Sequence, residues 1–154
     1  MNIIGQLSNG ETERLLLHNI IGRIGCNDGE RNYVVPVNYV YDGLFIYGHS
    51  VEGLKTAMMR KNPSVCFQTD EVIGLDSWKS VIAWGNYAEI QDGKEQQRVM
   101  EMFVEKDLRF RISRPSLLPE LHKNRTVPNR EGRFKTVIYK IEVVEKTGRY
   151  ESPA

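Results

Sequence analysis

Gly43-Leu-Phe-Ile-Tyr-Gly-His-Ser-Val-Glu-Gly-Leu-Lys55 is the stretch on which the reading of this chain turns. An apolar strand is expected to run to Tyr47 and to end at Gly48, His49 and Ser50. An amphipathic helix should follow, with Ser50 as its cap and Lys55 in its first turns. Asp42-Gly43, just upstream, is a two-residue hairpin signal. The junction would gather an imidazole, a hydroxyl, helix-start amides and an ammonium in one place. A phosphate-bearing ligand needs such a set, because free amides and a cation act on the same anion.

Working outward, Asn32 to Tyr41 favours extended structure through Tyr33, Val34, Val35, Val37, Tyr39 and Val40. Pro36 cannot donate to a ladder, so it marks an edge, a bulge or a point where the strand leaves its neighbour. Ile20 to Cys26 reads as a strand, and Asn27-Asp-Gly-Glu30 as a turn. Residues 11–18 suggest a short helix with acidic residues at its start. Leu54, Ala57 and Met58, with the Lys61 stem, are expected on the inner face of the helix that follows Ser50. Asn62-Pro63 ends that helix. Ser64 to Thr69 and Trp78 to Ile90 are further strands, with Gly85 a candidate bulge. A helix is expected over 94–106 with Val99, Met102 and Phe103 as its apolar stripe. Residues 107–132 read as irregular. Arg133 to Val144 alternates as a last strand through Phe134, Val137, Tyr139, Ile141 and Val143. About six strands, mostly joined by tight turns, imply an antiparallel sheet. Closure into a barrel would remove its edges, and the lack of repeated βαβ units disfavours a doubly wound fold.

The 154 residues fit one domain, 1–154, with a core of its own. Twenty-one Lys and Arg against twenty Asp and Glu leave a net charge of +1. No basic patch suited to nucleic acid stands out, and no run of apolar residues is long enough to span a membrane. No secretory leader is recognisable, and Cys26 and Cys66 read as buried thiols. A cytoplasmic, reducing location is therefore expected. His18, His49 and His122 show no metal-ligand spacing, so no metal site is expected.

Gly22-Arg-Ile-Gly-Cys26, Tyr33-Val-Val-Pro-Val-Asn-Tyr39 and Tyr47-Gly-His-Ser50 with Gly53 and Lys55 together resemble the pyridoxamine 5'-phosphate oxidase-like flavoproteins. Asn62-Pro-Ser-Val-Cys-Phe67 and Trp78-Lys-Ser-Val81 continue the pattern. The branch it looks closest to is the one related to 5-nitroimidazole reductases. The resemblance covers most of residues 11–146 and is weakest over 107–132. It implies a mainly β chain with short helices, folded as a six-stranded antiparallel, Greek-key-like split β-barrel. It also implies a homodimer with FMN at the subunit interface. FAD and haem rank behind FMN. Pro36, Val37 and Asn38 match the strand beside the isoalloxazine ring. His49 and Ser50 match the junction near the flavin, Lys55 the phosphate contact, and Ser80 and Val81 a later strand lining the cofactor. The substrate-clamping arginine and histidine of pyridoxamine phosphate oxidation are not evident. Arg133 lies in the right region without the surrounding motif, which argues against that reaction.

Each of these residues also has a plainer reading. Lys55 could be a solvated helix lysine, Ser50 only a cap, and His49 a structural histidine at a strand end. If His49 faces the ring, an imidazole near neutrality could deliver protons. Pro36 and Asn38 could be explained by a bulge and a turn. Trp78 and Trp84 suit core or interface packing, and Arg109, Arg111 and Arg114 suit a solvated surface. The expectation is an FMN-dependent oxidoreductase, an enzyme charged by NAD(P)H or another reductant. It would pass electrons to a small-molecule acceptor, with a nitroimidazole or other nitroaromatic as the named candidate and His49 beside it. The alternative is a non-catalytic flavin or haem module for storage or sensing.

Overall fold

A computed structural model describes residues 1–112 and 135–154. Eleven elements follow in order: β1 (Ile3–Gln6), α1 (Asn9–His18), β2 (Ile21–Asn27), β3 (Asn32–Asn38), β4 (Val40–Tyr41), β5 (Phe45–Val51), α2 (Leu54–Lys61), β6 (Ser64–Gly74), β7 (Ser77–Glu89), α3 (Gly93–Ile112) and β8 (Thr136–Ser152). The mainly β fold with short helices is as expected. The strands number eight, not six, among the described residues. The segment 32–41 divides in two, and β1, exposed along most of its length, pairs only with the end of β8.

The turns form where local chemistry demands them. Asp42 Oδ1 accepts the amides of Leu44 and Phe45 at 2.9 and 2.8 Å, and Gly43 takes φ +100°, which a side chain would resist. Ser8 caps α1 through a reciprocal pair with Glu11.

The sheet runs β3-β2-β6-β7-β8-β5-β4, every pairing antiparallel. Its two ends, β3 and β4, are consecutive pieces of one segment. The chain pairs with β2 up to Asn38, changes partner at Tyr39, and pairs with β5 from Val40. The barrel closes by covalent continuity. Tyr39 is itself buried, with its ring edge-on to Phe67 at 4.6 Å and its hydroxyl donating to the Leu16 carbonyl at 2.8 Å. Pro36 lies in β3, an end strand of the sheet with one open side, as a residue without a backbone donor favours.

β8 is the common partner. It lies beside β7 along most of its length, and on its other side beside β5 and then β1. The expected alternation holds at Val137, Tyr139 and Ile141, which face the barrel interior, while Phe134 lies outside the described residues. Gly85 stands at the register shift between β7 and β8, as anticipated.

Three local expectations fail. Ser50 does not cap α2. β5 continues through His49, Ser50 and Val51, which pair with Ile138, Val137 and Thr136, and Gly53 becomes the cap residue. The Thr56 hydroxyl accepts the Gly53 amide and donates to the Gly53 carbonyl, both at 3.0 Å, which holds that turn. The buried face of α2 is Thr56, Met58 and Met59, with Lys55 half-buried, whereas Leu54 and Ala57 are exposed. Residues 107–112, read as irregular, continue α3. The rest of that reading, with Arg114, His122 and Arg133, lies outside the described residues.

Two apolar clusters result. One fills the barrel, with Leu15 and Leu16 of α1 and Met58 and Met59 of α2 packed into it. The other lies on the outer side of β4 and β5, where Val99 of α3 covers Val40, Tyr47 and Ile90, with Met102 and Phe103 alongside.

A Cβ at Gly85 would lie 2.2 Å from the Glu142 carbonyl oxygen, a backbone atom that cannot swing aside. Gly85→Ala is expected to cost on the order of 2–3 kcal/mol, read from the urea midpoint. An unchanged midpoint would mean that the bulge yields freely.

Candidate functional site

β5 hands the chain to α2 through Glu52 and Gly53, and this junction gathers the first group of side chains. Because successive strand residues alternate in direction, His49 and Ser50 point to opposite sides of the sheet. His49, level with Ile138, lies on the outer side, where the ring of Phe103 meets it edge-on at 4.7 Å. Ser50 lies on the inner side, level with Val137, and its hydroxyl donates to the Val51 carbonyl at 3.1 Å. Gly48 precedes them because Tyr139 lies across it; a Cβ there would come within 2.2 Å of that ring.

Lys55, in the first turn of α2, leans over the same Tyr139 ring, its Nζ 5.9 Å from the centroid. Burial pushes its ammonium below the ordinary lysine range, and the nearby Cys26 sulfur opposes that shift. No carboxylate pairs with it among the described residues. No acidic residue occupies the first turn of α2 either. A half-buried cation beside unused helix-start amides, without a counter-charge, is chemically suited to an anion such as a phosphate. Burial also lowers the His49 imidazole below its usual range, and the charge of Lys55 adds to the effect. The imidazole is therefore neutral at pH 7, able to accept a proton at one nitrogen and donate from the other.

Arg60 braces the junction. Its guanidinium donates to Glu52 at 2.7 Å and also pairs with Glu89, which accepts the Tyr87 hydroxyl at 2.9 Å. This tie fixes the loop in front of α2 to the end of β7.

The second group lies on the outer face of the strands on the other side of the barrel. Arg23 is level with Pro36 on one side and Gln68 on the other, and directly opposed residues share a face. Arg23 Nη1 donates to Asp70 at 3.2 Å. Gln68 Nε2 donates to Asp70 at 2.9 Å and to the Ser80 hydroxyl at 3.0 Å. Ser80 is thereby tied into one polar line across three strands, and Pro36 lies level with its Arg23 end. Arg23, Gln68 and Asp70 were not picked out from sequence as site residues, because the line exists only once the register is known. Asn38 lies on the same strand face as Pro36 and borders a cleft under Phe103, within one ring of His49.

Val37 and Val81 are buried in the barrel core, so only their backbones could meet a ligand. Ser80 pairs with Arg149 and His49 with Ile138, at opposite ends of β8. At about 3.3 Å per residue the eleven-residue separation of their partners puts the two roughly 36 Å apart along that strand. One chain alone does not bring Ser80 to Lys55.

Residues 8–150 match the model of the pyridoxamine 5'-phosphate oxidase family. The chain belongs to that family. It is 27% identical to a FAD-binding protein of Mesorhizobium loti whose crystal structure superposes with a TM-score of 0.74, over 99% of this chain and 100% of that one. A structure described as a candidate 5-nitroimidazole antibiotic resistance protein, from Bacteroides thetaiotaomicron, shares the fold at 18% identity and a TM-score of 0.69, covering 100% and 93% of the two chains. An uncharacterized protein of Rhizobium meliloti (strain 1021) is 32% identical over 84 residues. That alignment spans 54% of this chain and 56% of the relative, little more than half of each. Members of this family carry a flavin-binding, oxidoreductase-type fold, and this chain has that fold. Among the described residues no helix is long and apolar enough to cross a membrane, and no cluster of three metal-binding side chains occurs.

The depressed imidazole sets a sign. Unfolded His49 takes up its proton near pH 6.5, while the folded residue does so only at lower pH. The unfolded state therefore binds more protons in that window, and stability falls as pH drops through it. His49→Gln is expected to flatten this part of the stability–pH curve. In NMR titrations, Lys55→Met should move the His49 midpoint upward; an unmoved midpoint would show that the two groups are not coupled.

Proposed function

We propose that this protein is an FMN-dependent oxidoreductase that works as a homodimer, with Lys55 holding the flavin phosphate and His49 standing beside the electron acceptor. The single observation that carries the reading is the half-buried Lys55 ammonium, which has no carboxylate partner among the described residues and sits where a strand delivers a helix start. A phosphate dianion would supply the missing counter-charge. Ser50 and the first amides of α2 extend the same cradle. Pro36, Val37 and Asn38, with Ser80 and the backbone of Val81, would line the ring. Since Ser80 lies at the far end of β8 from His49, the reading requires a second copy to complete each site. The exposed Ile82 and Trp84 on the face that carries Ser80 give such a partner apolar area to cover.

The bound flavin would supply the electron chemistry. NAD(P)H is the proposed reductant, and the acceptor is a small molecule for which a nitroaromatic such as a nitroimidazole is the working choice. The neutral His49 would pass a proton as the acceptor is reduced. The free thiols of Cys26 and Cys66 suit a reducing, cytoplasmic setting. The FAD-binding relative from Mesorhizobium loti makes FAD the competing flavin, so FMN and FAD should be titrated side by side. A protein that binds flavin yet turns over no reductant or acceptor would instead be a storage or sensing module.

Lys55→Ala is expected to weaken FMN binding by about tenfold or more, the size of one lost charge-assisted contact. Riboflavin, which lacks the phosphate, should bind wild type and variant alike. Fluorescence quenching of both flavins measures this directly. An equal loss for both would move the phosphate away from position 55.

A further inference from the structure

The α3 helix does more than cover β4 and β5. Its second half crosses the point where β2 begins and where β3 gives way to β4, and a cleft of about 300 Å³ opens between them. Asn38 and Tyr39 form one wall, and Phe103, Lys106, Asp107 and Phe110 the other. This volume is at the small end of the range for ligand cavities, room for a molecule of one or two rings.

Lys106 is the unusual member. Its ammonium donates to the carbonyl oxygens of Asn19 and Tyr39, the latter at 3.1 Å, and lies 4.3 Å from the centroid of the Tyr39 ring. Two of its three protons are thereby used. Burial pushes it down to about 8, a measure of how poorly its charge is solvated. No carboxylate pairs with it among the described residues, and Asp107 on the same wall has an interaction of its own. Two neighbouring clefts also have Lys106 among their lining residues. The α3 wall supplies apolar surface through Phe103 and Phe110, and the Asn38 side chain supplies an amide.

We propose that this cleft binds a single-ring aromatic carboxylate, its carboxylate on the Lys106 ammonium and its ring against Phe103 and Phe110. The carboxylate takes the remaining ammonium proton and provides the charge that the fold omits. The ring packs on the half-buried side chain of Phe103. Phe103 separates this cleft from His49, so the ligand lies beside the proposed flavin region and shares only Asn38 with it. The inference does not rest on the flavin reading.

The test uses benzoate and its neutral isostere benzamide on the full chain, followed by calorimetry and by NMR of the isoleucine methyl groups. Benzoate is expected to bind about tenfold or more tightly than benzamide, as a charge-assisted contact requires. It should shift the methyl resonance of Ile21, which lines the cleft, and leave the barrel-core Ile46 in place. Lys106→Met, which keeps the apolar stem, should reduce benzoate binding to the level of benzamide. Equal affinity for the two probes, shifts confined to other isoleucines, or a folded Lys106→Met variant that binds benzoate like wild type would each overturn the proposal. If Lys106→Met does not fold, the probe comparison and the methyl shifts in the wild type still decide. Displacement of benzoate by FMN would also overturn it, by giving the cleft to the flavin. A chain that takes benzoate but no flavin would remove the preceding functional reading and leave this one standing. The opposite result would remove this one alone.

Discussion

The change of partner at Tyr39 is the constraint on which the rest of the structure depends. A single extended segment serves both ends of the sheet: its first part pairs with β2 and its last two residues with β5. Closure follows from that one switch, and with it an interior in which some twenty apolar side chains lose contact with water. A buried switch must satisfy its own polar groups. The Tyr39 hydroxyl reaches α1, its amide the Ile20 carbonyl at 3.4 Å, and its carbonyl the ammonium of Lys106. Helices α1 and α3, far apart in the chain, thus converge on one residue. α3 is tethered there as well as by its apolar stripe, and this tether sets the cleft beneath Phe103.

The chemistry of the junction follows from β5 continuing further than its local sequence suggests. Pairing with β8 carries the strand through Val51, so His49 and Ser50 separate onto opposite faces. The imidazole comes under Phe103, and the hydroxyl comes to the barrel side near Tyr139. Lys55 then projects from the next element toward the same ring. A cation held over an aromatic face and away from acids retains much of its charge for an incoming anion. The same burial keeps the imidazole uncharged. Two basic groups close together thus occupy different protonation states at neutral pH, one suited to holding charge and the other to exchanging a proton.

What was legible in the sequence was local. Asp42-Gly43 announced its turn because Asp42 caps the next two amides and Gly43 alone adopts the needed φ. Val137, Tyr139 and Ile141 announced a strand because one face of it is buried throughout. Gly85 marked the bulge. The failures at the strand junctions involve distant partners. Within Tyr33–Tyr41 the break that sequence singled out was Pro36, yet Pro36 stays level with Arg23 and the partner changes only at Tyr39. Ser50 looks like a cap until β8 claims its backbone. The inner face of α2 carries a lysine and a threonine, so an apolar-stripe argument picked Leu54 and Ala57, which are exposed. The polar line from Arg23 through Gln68 and Asp70 to Ser80 joins residues from three strands, and only the register aligns them.

β8 is needed by β7, β5 and β1 alike, yet it follows all of them in the chain. During synthesis the earlier strands must wait, with β5 and β7 each lacking a neighbour until residues 136–152 leave the ribosome. The side chains that define the junction share this dependence, since Ile138 and Tyr139 are the strand partners of His49 and Gly48. The junction is therefore completed late and all at once, and a nascent chain that stalls before this strand would expose two open sheet edges to any other unfinished copy nearby.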